Sequence, residues 1–323
     1  MSIRTFSKLA VVTAAFCSAV TAFAAYPERA IKMVVPFPPG GVTDTVARPI
    51  ADAMSKDLGV SVIVENRGGA GGAVGTGEVS RAKQDGYTVL FMLSSISILP
   101  EADKILGRRP AYLTEHFKPI ARVTADPTVL VVKSNAPWNT AKEFIDAAKA
   151  APGDLTYGSS GIYGSMHVPM AMLEKASGAK MMHVPYTGAG PAVLAVLSGQ
   201  VDAVSSGPSS IIQYVKSGDL KALAHWGDEP ISSLPEVPSL KSLGYDAKFV
   251  QWSGLFVPAS VPDDVIETLR ASMKRVTSSS DVQAMIKAAG SPVEYLDADA
   301  FQEYWDADDI VLRKAVQDIG RVD

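Results

Sequence analysis

From residue 31 onward, short runs of consecutive apolar residues alternate with longer runs whose apolar positions recur every three or four residues. The first kind predicts strands and the second amphipathic helices. Ile31–Val35 reads as a strand, Pro36–Val42 as a loop, and Thr43–Leu58 as a helix. Ser61–Val64 is a second strand, Gly68–Gly72 a glycine loop, Ala73–Lys83 a helix, and Tyr87–Leu93 a strand entered through the Asp85-Gly86 turn. A second set follows Ala125. Its strands are Thr128–Val132, Leu155–Gly158, Met181–Tyr186, Val201–Ser205 and Leu220–His225, and its helices are Thr140–Ala150, Ser165–Ser177 and Pro191–Ser198. Leu234–Pro238 is a rigid connector, Trp252–Val257 is again β-like, and Pro262–Val276 and Asp297–Ile319 carry helical spacing. Such alternation predicts βαβ units and a largely parallel sheet. Two α/β units followed by helices that must pack on one of them point to two lobes.

Composition narrows the class. The chain has 323 residues, 47% apolar and 20% charged, which is a core-forming balance rather than a disordered one. Lys and Arg number 30 against 34 Asp and Glu, so no basic excess exists to neutralise nucleic-acid phosphates. Arg4 and Lys8 precede an apolar run from Leu9 to Val20, and Ala22-Phe23-Ala24 follows. That pattern predicts a secretory signal peptide over residues 1–24, too short for a comfortable membrane span. Cleavage after Ala24 would remove Cys17, the only cysteine, and with it any disulfide or thiolate chemistry. The expectation is an exported soluble protein, periplasmic, with 28 basic against 34 acidic residues once Arg4 and Lys8 are gone.

Three loops carry candidate chemistry. Phe37, Pro38, Pro39, Gly40, Gly41, Val42, Thr43 and Asp44 place a Gly-Gly turn between a strand and a helix start, where unpaired N–H groups and the helix dipole attract anions. A bare βα turn fits that segment equally well. Ser159, Ser160, Gly161, Tyr163, Gly164 and Ser165 form a second strand-to-helix loop of hydroxyls and glycines. Thr187, Gly188, Ala189 and Gly190 form a third, ahead of Pro191 in a first helical turn. All three belong at the carboxyl ends of their strands, where open α/β sheets bind ligands.

Other chemistry is poorly supported. Gly69–Gly75 departs from G-x-G-x-x-G spacing and lacks an acidic ribose partner, so glycine-mediated helix packing accounts for it better than a dinucleotide. His116, His167, His183 and His225 show no metal-ligand spacing, and no G-x-S-x-G elbow surrounds any serine. No catalytic constellation, cofactor site or metal site is expected.

Ordered motifs then give the chain a resemblance. They are Tyr26-Pro27, Val34–Asp44, Val64–Arg67 with Gly69–Gly72, Asp85–Thr88, His183–Tyr186, Gly199–Asp202, Leu234–Pro238 and Trp252–Pro258. Together they resemble the solute-binding proteins of tripartite tricarboxylate transporters, the Bug receptors. The resemblance implies a two-lobe periplasmic binding protein type II fold, each lobe a mixed sheet flanked by helices, closing on a small organic carboxylate. Residues 25–125 and 250–323 would form lobe 1 and residues 126–249 lobe 2. It further implies that one carboxylate sits on the Phe37–Asp44 loop and the far end meets Ser159–Ser165 and Thr187–Gly190, with Ser94, Ser95 and Ser97 on another ligand-facing loop. The partners would be a large and a small integral-membrane subunit, with the receptor a monomer.

Departures shape the expected ligand. Ser206 stands where members that bind amino acids carry an Asp, which disfavours an α-amino acid. Tyr163 replaces a usual glycine and suits an aromatic or bulky carboxylate, while Pro49 interrupts the first helix. The rivals are an exported α/β enzyme acting on a small anion and a receptor presenting its ligand to a sensor kinase.

Overall fold

The computed structural model describes residues 26–322, so the signal peptide expected over residues 1–24 lies outside the described residues. Strand β1 (Ile31–Val35) turns into helix α1 (Val42–Leu58), followed by β2 (Val62–Asn66), α2 (Ala73–Ser80), β3 (Thr88–Leu93) and α3 (Ser95–Ile105). A long strand, β4 (Phe117–Pro127), then runs into β5 (Val129–Lys133) of a second sheet. That unit continues with α4 (Ala141–Ala150), β6 (Thr156–Ser159), α5 (His167–Ser177), β7 (Met182–Pro185), α6 (Ala189–Ser198), β8 (Ala203–Ser206), α7 (Pro208–Ser217) and β9 (Leu220–His225). The chain returns through β10 (Val250–Pro258) and ends with α8 (Asp263–Ser278), α9 (Ser280–Ala288), β11 (Leu296–Asp297) and α10 (Ala298–Ile319).

The first lobe is a six-stranded sheet of order β11-β4-β10-β3-β1-β2 and the second a five-stranded sheet of order β7-β6-β8-β5-β9. Both are mixed. In the first, β3, β1 and β2 are parallel, whereas β10 and β4 run antiparallel to their neighbours. In the second, β7, β6 and β8 are parallel and β5 opposes both β8 and β9. The largely parallel sheet expected from strand–helix alternation is therefore corrected. Alternation does produce the parallel halves, but β4 to β5 and β9 to β10 are connections between sheets, and the strand that enters across each of them, β5 or β10, runs reversed.

The hinge follows from that topology. Strands β4 and β10 pair side by side from Val250↔Pro127 to Pro258↔Phe117, so both inter-lobe connections leave from one end of one ladder. Strand β4 has no counterpart in the sequence reading because Pro119, Arg122 and Pro127 break its apolar run. Its outer neighbour β11 pairs only at Arg122 and Ala121, so the missing proline N–H groups cost little there. Ser95 and Ser97, expected on a ligand-facing loop, lie in helix α3, with Ser94 at its N-cap. Pro49 lies inside an uninterrupted α1.

Helix α10 locks onto the first sheet. Trp252 Nε1 donates to Asp308 Oδ2 at 2.6 Å, and Trp305 Nε1 to Ser97 Oγ at 2.8 Å. A Cβ at Gly254 would lie 2.5 Å from the Phe301 ring, so β10 needs glycine for the helix to approach. Trp252 is thus core packing beside the hinge.

Candidate functional site

Two helix starts face one another where the lobes meet. Gly41 caps α1 and Gly188 caps α6, and neither end has a side-chain cap. The first intrahelical bond of α1 runs from Thr45 N–H to Gly41 O at 3.0 Å, leaving the N–H groups of Val42 and Thr43 without a helical partner. Across the contact, Gly41 and Ala189 are close enough that a Cβ on Gly41 would lie 3.6 Å from that of Ala189. Between them is a cavity of ≈ 10 Å3, the size of a single water. Phe37, Gly41, Val42, Thr43 and Leu93 line it from the first lobe, Ser160, Ser165, Met166 and Ala189 from the second, and Gln251 from the hinge. None of these described residues is charged. Anion binding here would rest on backbone N–H groups, hydroxyls and the helix dipole.

Asp44 shapes this loop instead of facing its occupant. Its carboxylate accepts the Gly40 N–H at 3.0 Å, Arg48 Nε at 3.0 Å and Nη2 at 2.8 Å, and Asn66 Nδ2 at 2.9 Å. Burial pushes the carboxyl up, but Arg48, the Gly40 N–H and Asn66 outweigh it and hold it below the usual carboxylate range. Asn66 also donates to Phe37 O at 3.0 Å, tying the end of β2 to the turn.

A stack of rings braces the second-lobe loop. His167 and His183 lie parallel with centroids 4.1 Å apart, and Tyr157 continues the stack at 5.0 Å from His183. His167 Nδ1 accepts the Tyr163 N–H at 2.9 Å, and Ser159 Oγ lies 2.6 Å from His183 Nε2. Burial lowers the His183 pKa to about 4, and burial with repulsion from His183 lowers that of His167 to about 3. Both rings are neutral when folded and protonate near pH 6.5 when unfolded. Stability is therefore full above about pH 6.5 and lost as pH falls toward 4, with a slope approaching about 1.4 kcal/mol per pH unit for each ring. Urea unfolding at stepped pH should show this decline, and His183→Gln should flatten it. An equal slope in that variant would remove the stack as its cause.

The family model described as tripartite tricarboxylate transporter family receptor, TctC, matches residues 46–317. The chain belongs to this family. Relatives of the receptor include Protein BugT of Bordetella pertussis, 32% identical over 268 residues, 82% of each chain. A UPF0065 protein from the tcbD-tcbE intergenic region of a Pseudomonas is 33% identical, over 86% of this chain and 84% of the relative. Among solved structures, the periplasmic binding protein BugD superposes with TM-score 0.86 at 32% identity, covering 91% of this chain and 98% of its own. MatC from Rhodopseudomonas palustris, solved with bound malate, gives TM-score 0.84 at 27% identity over 90% of this chain and all of its own.

Within the receptor, the sequence candidates divide by position. Phe37, Gly41, Val42, Thr43, Ser160, Ser165 and Ala189 border the small cavity. Pro39, Gly40 and Gly190 touch one another at its rim, where a Cβ on Gly190 would lie 3.4 Å from Pro39 O. Gly164 and Gly188 are contact points between lobes, and Thr187 borders a wider outer groove of ≈ 510 Å3 with Leu99, Ile162 and Tyr186. Ser159 is turned to His183, and Ser206 Oγ pairs with Ser210 Oγ at 2.7 Å. Ser94 and Ser95 open helix α3 behind Leu93.

Tyr163 requires a correction. Its ring is wholly buried edge-on to His167, and its hydroxyl donates to Gly320 O at 2.5 Å and accepts the Val322 N–H at 3.1 Å. It is absent from the lining of the small cavity and borders the outer groove beside Tyr186 instead. Leu93, Met166 and Gln251 were missed. Gln251 had one signal, a lone amide in the apolar run Phe249 to Phe256.

Proposed function

We propose that this chain is a periplasmic receptor that captures a small organic carboxylate between its lobes and delivers it, as a monomer, to the integral-membrane subunits of a tripartite tricarboxylate transporter. Membership of the family and the malate held by the related MatC support the ligand class. The observation that carries the reading is the meeting of two uncapped helix starts, α1 and α6, on one cavity without charged side chains among the described residues. A partly buried helix start contributes up to ~2 kcal/mol toward an anion, and charge-assisted hydrogen bonds about 1.5–3 kcal/mol each. Three or four such bonds reach micromolar affinity, roughly −8 kcal/mol, after ordering costs. The close Ser159–His183 pair braces a loop and lies outside the cavity, which leaves it no reacting partner there.

A thermal-shift screen of the mature chain, stripped of ligand by unfolding and refolding, tests this. One carboxylate class at about 100 Kd should add ~2.7 kcal/mol of stability. A response confined to nucleotides or sugars would refute the reading.

A further inference from the structure

Tyr163 stands in the second-lobe loop that supplies Ser160, Ser165 and Met166 to the cavity wall. Its φ is +55°, a conformation that glycine adopts freely and a tyrosine adopts only under restraint. Three hydrogen bonds supply that restraint. The backbone N–H donates to His167 Nδ1 at 2.9 Å, inside the loop's own turn. The hydroxyl donates to Gly320 O at 2.5 Å and accepts the Val322 N–H at 3.1 Å, both on the segment that follows α10.

That segment is fixed to the other lobe. Helix α10 begins on the first sheet, where Phe301 packs on Trp252 and Trp305 on Phe256. Further along, Arg313 Nη2 donates to Thr114 Oγ1 at 2.9 Å, and Gln317 Nε2 to Glu101 Oε1 of α3 at 2.8 Å. The same stretch also enters the second lobe. Leu312 and Val316 share an apolar cluster with Val168 and Leu173 of α5, the helix that the ligand loop feeds. Asp318 Oδ2 lies 3.4 Å from Lys175 Nζ of α5, an exposed pair that counts for little. From Gln317 to Val322 the chain is thus bound first to α3 of one lobe and then to the ligand loop of the other.

We infer that Tyr163 is a positioning residue and that Gly320–Val322 is a strap, by which a segment carried on the first lobe sets the cavity wall in the second. The strain of a positive φ at a tyrosine is of the same order as what two hydrogen bonds contribute, so the loop stands near balance. With the hydroxyl fastened, Ser160, Ser165 and Met166 stay at the cavity. Without it the backbone relaxes toward negative φ and the wall shifts. A tyrosine that only filled the second core would need its ring and not its hydroxyl. Gly320 and Val322 are half-buried, so water can replace the hydroxyl there and the fold survives its loss. The anchoring stands on geometry alone, whereas its effect on affinity rests on the carboxylate reading above.

Two variants test it. Tyr163→Phe keeps the ring and removes the hydroxyl, and a chain ending at Ile319 removes the strap and keeps the tyrosine. Hydrogen exchange read by mass spectrometry reports the anchoring with no ligand present. Peptides spanning residues 160–166 should exchange about 10-fold or more faster in both variants, with those of β5 and β8 unchanged. Calorimetric titration reports the consequence, using the acid of largest thermal shift among malate, succinate, lactate and benzoate. Affinity should fall about 5- to 30-fold in each variant, and no further when the two are combined, because both cut one link. Tyr163→Phe should melt close to wild type, which separates lost positioning from lost fold. Wild-type exchange in Tyr163→Phe, faster exchange with wild-type affinity, or effects on affinity that add would each overturn the inference and leave the carboxylate reading standing. Should the shortened chain not fold, Tyr163→Phe decides alone. Failure of the wild-type chain to bind any acid would overturn the carboxylate reading, and exchange would then decide whether the strap holds the loop.

Discussion

Gly188→Ala is expected to weaken carboxylate binding by about 5- to 150-fold while leaving thermal unfolding of the unliganded chain almost unchanged. Gly188 has φ 174°, extended backbone that alanine adopts freely, so the substitution brings no local strain. The penalty arises only across the cleft, where the new Cβ would lie 2.5 Å from Pro38 Cδ and 3.1 Å from its Cγ. A proline ring cannot swing aside as a flexible side chain does. Overpacking of this kind costs about 1–3 kcal/mol, which converts to the stated range in affinity. With its lobes apart the chain avoids the clash, so the variant should remain open. Titration calorimetry gives the affinity, and small-angle scattering should show a radius of gyration that no longer contracts when the acid is added. Wild-type affinity with normal contraction would mean that the Gly188–Pro38 contact plays no part in closure.

The second large effect is expected at Asp44. Asp44→Ala removes the acceptor for Gly40 N–H, Asn66 Nδ2 and Arg48 at once. Arg48 is half exposed, so its ion pair counts for little. The buried bonds to Gly40 and Asn66 carry the cost, about 1.5–3 kcal/mol for each charge-assisted bond before relaxation. A net loss of about 2–4 kcal/mol lowers Tm by roughly 3–6 °C in a protein of this size. Affinity should fall as well, because the turn that aims the Val42 and Thr43 amides loses its tie to β2. Asp44→Asn keeps the shape but lacks the charge, and should fall between. The pH dependence has a definite sign: the folded carboxyl titrates below its unfolded value, so its stabilisation is present above about pH 4 and lost as pH drops through the folded pKa. Calorimetric melts of the three proteins at pH 7 and pH 3 check this. A variant Tm equal to wild type at pH 7 would show that Asp44 does not hold the loop.

Much of the architecture was legible because local rules and global packing agree. The apolar runs of β1 and β3 are buried on both faces, and Val265, Leu269, Met273 and Val276 of α8 face the core at helical spacing. The three glycine-rich loops were visible because strand-to-helix turns need residues without side chains where lobes approach closely. What escaped depends on partners distant in sequence. Strand β4 exists because β10 pairs with it along its length, information absent from its proline-broken run. Tyr163 looked like a ligand contact because its loop borders the cavity. Its hydroxyl is claimed by Gly320, 157 residues away, and a positive φ of 55° turns the residue inward. Gln251 reaches the cavity only because β10 crosses between lobes beside β4. A reading confined to strand-to-helix loops has no means of placing a hinge strand in the site.

The most direct measurement is an amide NMR titration of the mature chain with the carboxylate that gives the largest thermal shift. Capture at the paired helix starts predicts the largest downfield shifts at the Val42, Thr43 and Ala189 amides, with smaller changes around Ser160 and Gln251. Shifts concentrated instead in the outer groove, at Leu99, Ile162 and Tyr186, with the α1 and α6 amides unmoved, would contradict it.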